Sequence, residues 1–152
     1  MNTSPDASRM APPSPALDLF GTRRLRDLDG DAHRTDPADW RDLAPEIVRQ
    51  RLVIEGVPAG PIDEAQIRHY LSALSRAVDM VQLIEPVTHR SDQYGWAGWI
   101  HWETSGAHFY AWDEPRLFFS VDLYTCKAFD VDTAVSFTRD FLQAGTLVAR
   151  SF

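Results

Sequence analysis

The stretch AGWIHWETSGAHFYAWDEPRLFFSVDLYTC, residues 97–126, decides the fold that this sequence predicts. It contains three short runs rich in aromatic and β-branched residues, at 97–103, 107–112 and 117–125. The segments Thr-Ser-Gly and Asp-Glu-Pro separate these runs, and residues of these types are typical of tight turns. Runs of this kind between turns are typical of β-strands that pair as antiparallel hairpins. The stretch therefore predicts three consecutive antiparallel strands.

The side chains of these strands fall into two sets, because successive residues of a β-strand point to opposite faces of the sheet. One set in the last strand is apolar: Leu117, Phe119, Val121 and Leu123. The opposite set is mixed: Phe118, Ser120, Asp122, Tyr124 and Cys126. The strand before it has one face with His108, Tyr110 and Trp112. We expect the apolar set to lie under helices and the mixed set to line a cleft on the open face.

The sequence before this stretch predicts a strand, a helix and a second strand. Residues 51–57 are a short apolar run that ends near glycine and proline, which is typical of a buried strand. Asp63, with Gln66 three residues later, predicts a helix that begins with a capping box. The apolar stripe of this helix is Ile67, Tyr70, Leu71, Leu74 and Val78. The pattern then predicts a strand at residues 80–84 and a loop at residues 86–95.

The sequence after the stretch predicts a second helix and a last strand. Asp132 is the expected N-cap and Gly145 the expected end of this helix. Its apolar face holds Ala134, Phe137, Phe141 and Leu142. Residues 146–152 then close the domain as a strand, which gives the order β-α-β-β-β-β-α-β. An antiparallel sheet with two one-sided helices predicts an α/β (α+β) two-layer sandwich, with both helices on one face.

Composition divides the chain into two parts. Residues 1–45 hold six of the ten prolines and show no apolar period, which predicts a disordered N-terminal arm followed by a folded domain at 46–152. The open face of the central strands is too apolar for solvent, so we expect a homodimer.

Charge and cysteine content restrict the classes of function. The net charge of −7 argues against a nucleic-acid partner and leaves room for a cationic ligand. No apolar run approaches the ~20 residues that cross a bilayer, and no secretory signal is recognisable, so no membrane partner is expected. A single cysteine fits a reducing compartment, and we expect the cytoplasm. The five histidines show no metal-ligand spacing, so no metal is expected.

Each polar residue of the open face has both a structural and a catalytic interpretation. A lone cysteine at the end of an apolar strand is usually a small core residue. His108 is explained as a buried, hydrogen-bonded histidine, Asp122 as a partner of a neighbouring group, and Ser105 as a turn residue. The residues alone leave both interpretations open.

Two segments, 94–112 and 120–126, resemble the prokaryotic S-adenosylmethionine decarboxylases. In that family a Gly-x-x-Gly strand leads to Glu-Ser-His, and a later strand reads Val-Asp-x-Phe-Thr-Cys. Here Gly95-Trp96-Ala97-Gly98 and Ser120-Val121-Asp122-Leu123-Tyr124-Thr125-Cys126 occupy these places. The similarity covers roughly residues 50–152.

The resemblance implies roles for particular residues. Ser105 falls on the self-cleaving serine, whose attack on the preceding carbonyl leaves a pyruvoyl cofactor. Cys126 falls on the cysteine that returns a proton to the substrate after decarboxylation. The substrate would be S-adenosylmethionine or a related amino acid, and the product would enter spermidine synthesis. His108 and Tyr110 would assist proton transfer, and the expected substrate contacts are Trp102, Glu103, Trp112, Asp122 and Tyr124.

The sequence departs from the family at several of these places. Thr104 stands before the serine instead of Glu, Gly106 after it instead of His, and Tyr110 at a later histidine position. Lys127 follows the cysteine where the family usually has Gly. Cleavage before Thr104, with Glu103 aligned to the family's Glu, is an alternative that needs a further insertion.

The departures leave two alternative functions open. The first is an uncleaved relative that eliminates or cyclises S-adenosylmethionine, with Glu103, His108 or Tyr110 as base. The second is a non-catalytic binding module, in which the tryptophan-rich strands form an interface.

Overall fold

The computed structural model describes residues 41–152, so nearly all of the predicted N-terminal arm lies outside the described residues. The described part has the predicted element order, and the α+β two-layer sandwich is confirmed. Its elements are β1 Gln50–Val57, α1 Glu64–Ala77, β2 Val87–Ser91, β3 Gly95–Trp102, β4 Ser105–Trp112, β5 Phe118–Thr125, α2 Val131–Leu142 and β6 Thr146–Ser151. Neither helix of this part is long and apolar enough to cross a membrane.

The six strands form one antiparallel sheet in the order β2-β3-β4-β5-β1-β6. β3, β4 and β5 are joined by successive hairpins, as the sequence predicts. β1 inserts between β5 and β6, with Leu52 opposite Leu123 and Ile54 opposite Val121. The first strand of the domain therefore lies inside the sheet rather than at its edge, and it pairs with β5 from Gln50 to Gly56.

Both helices cover one face of this sheet, where the core lies. The predicted apolar set of β5 is confirmed in the core, because Phe119, Val121 and Leu123 are fully buried. Tyr70 of α1 packs its ring edge-on against Phe109 at 5.0 Å, and its hydroxyl lies 2.8 Å from the Thr138 hydroxyl of α2. These contacts join both helices to the middle of the sheet.

The start of α1 is as predicted, and the bounds of α2 are not. Asp63 accepts a hydrogen bond from the Gln66 backbone at 2.8 Å, and the Gln66 side chain accepts from the Asp63 backbone at 3.1 Å. In α2 the N-cap is Asp130, which accepts from the Thr133 backbone at 2.6 Å. Asp132 instead lies in the first turn, where a carboxylate is also favourable beside the free N–H groups.

The predicted end of α2 is also displaced, because the helix ends before Gly145. Gln143 takes the left-handed conformation that closes it, with φ of 49°.

The strand predicted at residues 80–84 is wrong, and the second strand lies in the predicted loop. Within 80–84 the structure has a single bridge, from Gln82 to Trp102. Pro86 has no N–H and stops the segment from extending into a ladder. The polar residues of β2 then pair with β3 through their backbones, because an edge strand tolerates polar side chains on both faces.

We predict that Gly98→Ala destabilises the fold by about 1–3 kcal/mol, the usual cost of overpacking a core. A Cβ at Gly98 would lie 2.5 Å from Cγ2 of Ile67, which is fully buried and has no room to move. Urea denaturation gives the free energy of unfolding. Gly60→Ala is the control, because a Cβ there meets nothing within 4 Å. Equal free energies of unfolding for the two variants would contradict the close contact between Ile67 of α1 and Gly98 of β3.

Candidate active site

A strained peptide lies at the turn between β3 and β4. Trp102 pairs with Ser105, so the turn consists of Glu103 and Thr104, and Ser105 is already the first residue of β4. The predicted turn at 104–106 is thus displaced by one residue. Ser105 has φ of 143°, and such positive values in non-glycine residues cost about 1–3 kcal/mol. Backbone strain is therefore concentrated next to the Thr104–Ser105 bond.

Three polar groups converge on this peptide. The backbone N–H of Cys126 donates to the carbonyl oxygen of Thr104 at 2.9 Å. The Ser105 hydroxyl donates to Sγ of Cys126 at 3.7 Å. The Thr104 hydroxyl contacts Sδ of Met80 at 3.5 Å. A hydroxyl, a thiol and a hydrogen-bonded carbonyl thus lie together at one end of the sheet.

A cavity of about 600 Å³ opens on the uncovered face of the sheet, beside Ser105. Gly106 is part of its lining and lies between His101 of β3 and Tyr124 of β5. The other walls are Arg51, Trp99, His108 and Asp122. This volume and this mixture of aromatic and charged groups suit a small-molecule ligand.

Gly106 also explains one departure from the family pattern. A Cβ at this position would lie 2.3 Å from the carbonyl oxygen of Ile100, which is backbone and fixed in the β3–β4 ladder. A histidine directly after the serine therefore does not fit this backbone.

An ion pair crosses the cavity wall. Arg51 of β1 donates from Nε to Oδ1 of Asp122 at 2.9 Å and from Nη2 to Oδ2 at 2.7 Å. The Asp122 carboxylate raises the pKa of the Arg51 guanidinium by this hydrogen bonding. A partly exposed pair contributes only about 0–1 kcal/mol to stability. Its main effect is to balance the charge of Asp122 within the cavity.

The structure brings some of the predicted site residues together and separates others. Ser105, His108, Asp122 and Tyr124 line the cavity, and Cys126 is exposed beside Ser105.

The remaining predicted residues lie elsewhere. Tyr110 and Trp112 lie farther along β4, and the Trp112 ring packs against Phe118 at 5.3 Å. Glu103 is exposed in the turn. Trp102 is fully buried on the helix side, and its indole N–H donates to Ser75 at 2.7 Å. Substrate stacking by Trp102 does not fit this placement.

Sequence reasoning missed three residues with charged or aromatic side chains in the cavity wall: Arg51, Trp99 and His101. Alternation along β3 places Trp99 and His101 on the open face, a signal that the sequence contained. Arg51 lies opposite Tyr124 only because β1 pairs with β5, which no local pattern predicts.

The loop after Cys126 is anchored to α1. Nζ of Lys127 donates to the Asp79 carbonyl at 2.6 Å and to its carboxylate at 2.9 Å. Hydrogen bonding to Lys127 lowers the pKa of the Asp79 carboxyl. The departure from glycine at position 127 thus supplies a contact that holds the cysteine loop in place.

Within residues 41–152, no group of three or more histidine, cysteine, aspartate or glutamate side chains could hold a metal ion.

Comparison with known proteins identifies the class and the family. The solved adenosylmethionine decarboxylase from Aquifex aeolicus has a similar fold, with a TM-score of 0.57 and 19% sequence identity. The alignment covers 70% of this chain and 89% of that chain. A search of curated proteins found no significant match. The class is therefore an α+β sandwich of the kind seen in the Aquifex protein.

The family follows from the sequence model of S-adenosylmethionine decarboxylases, which matches residues 55–152. Because this match spans well over half of the chain, the chain belongs to the S-adenosylmethionine decarboxylase family. The resemblance found in the sequence is confirmed.

We predict a pH-dependent role for the Asp79–Lys127 pair. Because the folded pKa of Asp79 lies below its ordinary value of 3.8, the pair stabilises the fold above that pH. The contribution is lost as the pH falls through the folded pKa. Asp79→Asn should therefore lower the free energy of unfolding at neutral pH, and the deficit should shrink in acid.

The measurement is urea denaturation of both proteins across this pH range. Asp92→Asn, in the exposed turn between β2 and β3, is the control and should show no such trend. A deficit that stays constant down to low pH would show that the charge of Asp79 plays no part.

Proposed function

We propose that this protein is a self-processing, pyruvoyl-dependent decarboxylase of S-adenosylmethionine or a related amino acid. One observation carries the proposal: the strained Thr104–Ser105 peptide, with the Ser105 hydroxyl beside Cys126 and the Cys126 N–H on the Thr104 carbonyl. Membership of a family that generally depends on a pyruvoyl group supports it.

Self-processing begins at the Ser105 hydroxyl. Its oxygen attacks the Thr104 carbonyl carbon, the peptide C–N bond breaks, and the Ser105 nitrogen takes up the proton. Sγ of Cys126 accepts a hydrogen bond from the Ser105 hydroxyl and so orients its oxygen for the attack, while the proton passes to the Ser105 nitrogen. The Cys126 N–H donates to the oxygen that becomes negative, and one such donor contributes about 2.7–4 kcal/mol in other enzymes. Breaking the peptide also releases the strain at Ser105.

The ester that results is then eliminated. Loss of the Cα proton of residue 105 breaks the ester C–O bond and leaves Thr104 as a new C-terminal carboxylate. Water replaces the nitrogen of residue 105, and ammonia leaves. The residues present fit the resulting pyruvoyl group, because position 105 opens directly into the cavity.

The pyruvoyl group would supply a carbonyl that condenses with the substrate amine and withdraws electrons as carbon dioxide leaves. The chain supplies the rest of the site. The Cys126 thiol delivers a proton to the substrate carbon, and His108 in the cavity wall assists proton transfer. Tyr124 and Trp99, both about 40% exposed, present aromatic rings to a sulfonium or an adenine.

The cellular role follows from the substrate. Decarboxylated S-adenosylmethionine would serve spermidine synthesis, and we place the protein in the cytoplasm, where its single cysteine stays reduced.

We also propose that the protein is a homodimer through the open face of the sheet. Outside the cavity lining, that face exposes Tyr110 and Val148, which are 39% and 62% exposed. Exposed aromatic and aliphatic groups on an uncovered sheet face are typical of an interface.

The first test is cleavage. We predict that purified protein separates under denaturing conditions into two chains, residues 1–104 and 105–152. The shorter chain should be lighter by one ammonia than a chain that begins with serine, as measured by intact mass spectrometry. The cleaved protein, with both chains present, should release carbon dioxide from S-adenosylmethionine. Ser105→Ala should remain a single chain without this activity, whereas Ser120→Ala, a serine of the same open face, should be cleaved normally.

A single intact chain in the wild-type protein would overturn the proposal. Calorimetric titration with S-adenosylmethionine would then separate the alternatives. Heat of binding would indicate an uncleaved relative with other chemistry, and its absence would indicate a non-catalytic module.

The second test is assembly. We predict that the wild-type protein has the mass of a dimer in light scattering and that Tyr110→Lys, at the middle of the open face, shifts it to a monomer. Burying a lysine against a second sheet is costly unless the charge is paired. Leu83→Lys, which is exposed outside the sheet, should remain dimeric. A wild-type monomer would contradict the proposed interface.

A further inference from the structure

Arg49 lies at the start of β1, next to the end of β5 that carries Cys126. Gln50 pairs with Thr125, so continuing the antiparallel register places Arg49 beside Cys126. The chain after Cys126 is held at this end of β1, because the Gln50 amide donates to the Phe129 carbonyl and accepts from the Phe129 N–H, each at 3.0 Å. Arg49 and Cys126 therefore occupy opposite positions at the ends of the two strands.

The guanidinium of Arg49 is held in place by the preceding loop. Its Nη2 bonds to the Asp42 carboxylate and donates to the Ala44 carbonyl at 3.2 Å. The Ala44 N–H donates in turn to the same carboxylate at 2.9 Å. The hydrogen bond that Arg49 donates to Asp42 is the main cause of a raised pKa of Arg49, and interaction with Tyr124 and Cys126 raises it further. The guanidinium thus lies within electrostatic range of both groups.

We propose that Arg49 is a positioning residue that stabilises negative charge on Sγ of Cys126. This inference rests on the proposed function, in which the thiol gives its proton to the substrate carbon. In that step the S–H bond breaks, a C–H bond forms, and the electron pair stays on sulfur. A guanidinium remains charged at any working pH, so it favours the thiolate left behind.

In the described part of the chain, the other two cations near the thiol are paired with carboxylates, as Arg49 is, but neither lies opposite Cys126 in the strand register. Lys127, next in the chain, is bound to Asp79 at the end of α1. Arg51 is bound through two nitrogens to Asp122. Tyr124 lies in β5, two residues before Cys126. Glu103 lies in the β3–β4 turn and carries a charge opposite to that of Arg49.

The test is the rate of alkylation of Cys126 by iodoacetamide as a function of pH. Cys126 is the only cysteine of the chain, so the rate reports this thiol alone. The Ser105→Ala background keeps every variant a single chain. Arg49→Gln should slow alkylation at neutral pH about threefold and shift the rate profile to higher pH, the size of effect expected for removing one neighbouring charge in water. Arg49→Lys should restore most of the rate.

A second variant separates electrostatics from loosening of the loop. Asp42→Asn removes the countercharge of Arg49 and should speed alkylation, opposite to Arg49→Gln. Arg150→Gln removes an arginine on β6, two strands from β5, and should leave the rate unchanged. No change in Arg49→Gln, or shifts in the same direction for Arg49→Gln and Asp42→Asn, would overturn the inference. Failure of cleavage in the wild-type protein would overturn the proposed function and leave this measurement intact.

Discussion

The register between β4 and β5 is the constraint on which the site depends. Phe109 lies opposite Val121, and Ala107 opposite Leu123, all of them buried against the helices. A slip of one residue would turn this apolar set toward the open face, at a cost of several buried side chains. The same register sets Ser105 opposite Thr125, which brings the Cys126 N–H onto the Thr104 carbonyl. Packing of the core thereby positions the Thr104–Ser105 peptide, which lies outside the core.

One face of the sheet packs against the helices and forms the core, and the opposite face holds the candidate site. The helix face is buried in the core, and its buried polar groups hydrogen-bond to one another, as the Trp102 indole N–H does to the Ser75 hydroxyl. The open face holds the cavity, in whose wall Arg51 balances the charge of Asp122. A cationic substrate would therefore meet aromatic rings and a neutralised carboxylate rather than a free negative charge. Cation–π contact would contribute more to its recognition than ion pairing would.

The departures from the family pattern have local physical reasons at two positions. Position 106 admits no side chain because the Ile100 carbonyl occupies the space. Position 127 carries a lysine that binds the end of α1 and fixes the cysteine loop. Both changes leave the Ser105–Cys126 contact in place while altering the groups around it.

The sequence by itself determined the α+β class, the order of the elements, the capping box of α1 and the two faces of β4 and β5. These features depend on residues close together in the chain, such as Asp63 with Gln66 or the alternation from Phe118 to Cys126. The prediction for the segment 80–84 is wrong, because its backbone meets β3 at a single bridge, from Gln82 to Trp102, and Val81 and Leu83 stay exposed. Only the tertiary structure decided that β1 enters between β5 and β6, which brings Arg49 and Arg51 beside Cys126 and Tyr124. It also decided that Trp102 belongs to the core. Pairing between distant strands depends on how much apolar surface the whole sheet buries. A local pattern of residues does not report that quantity.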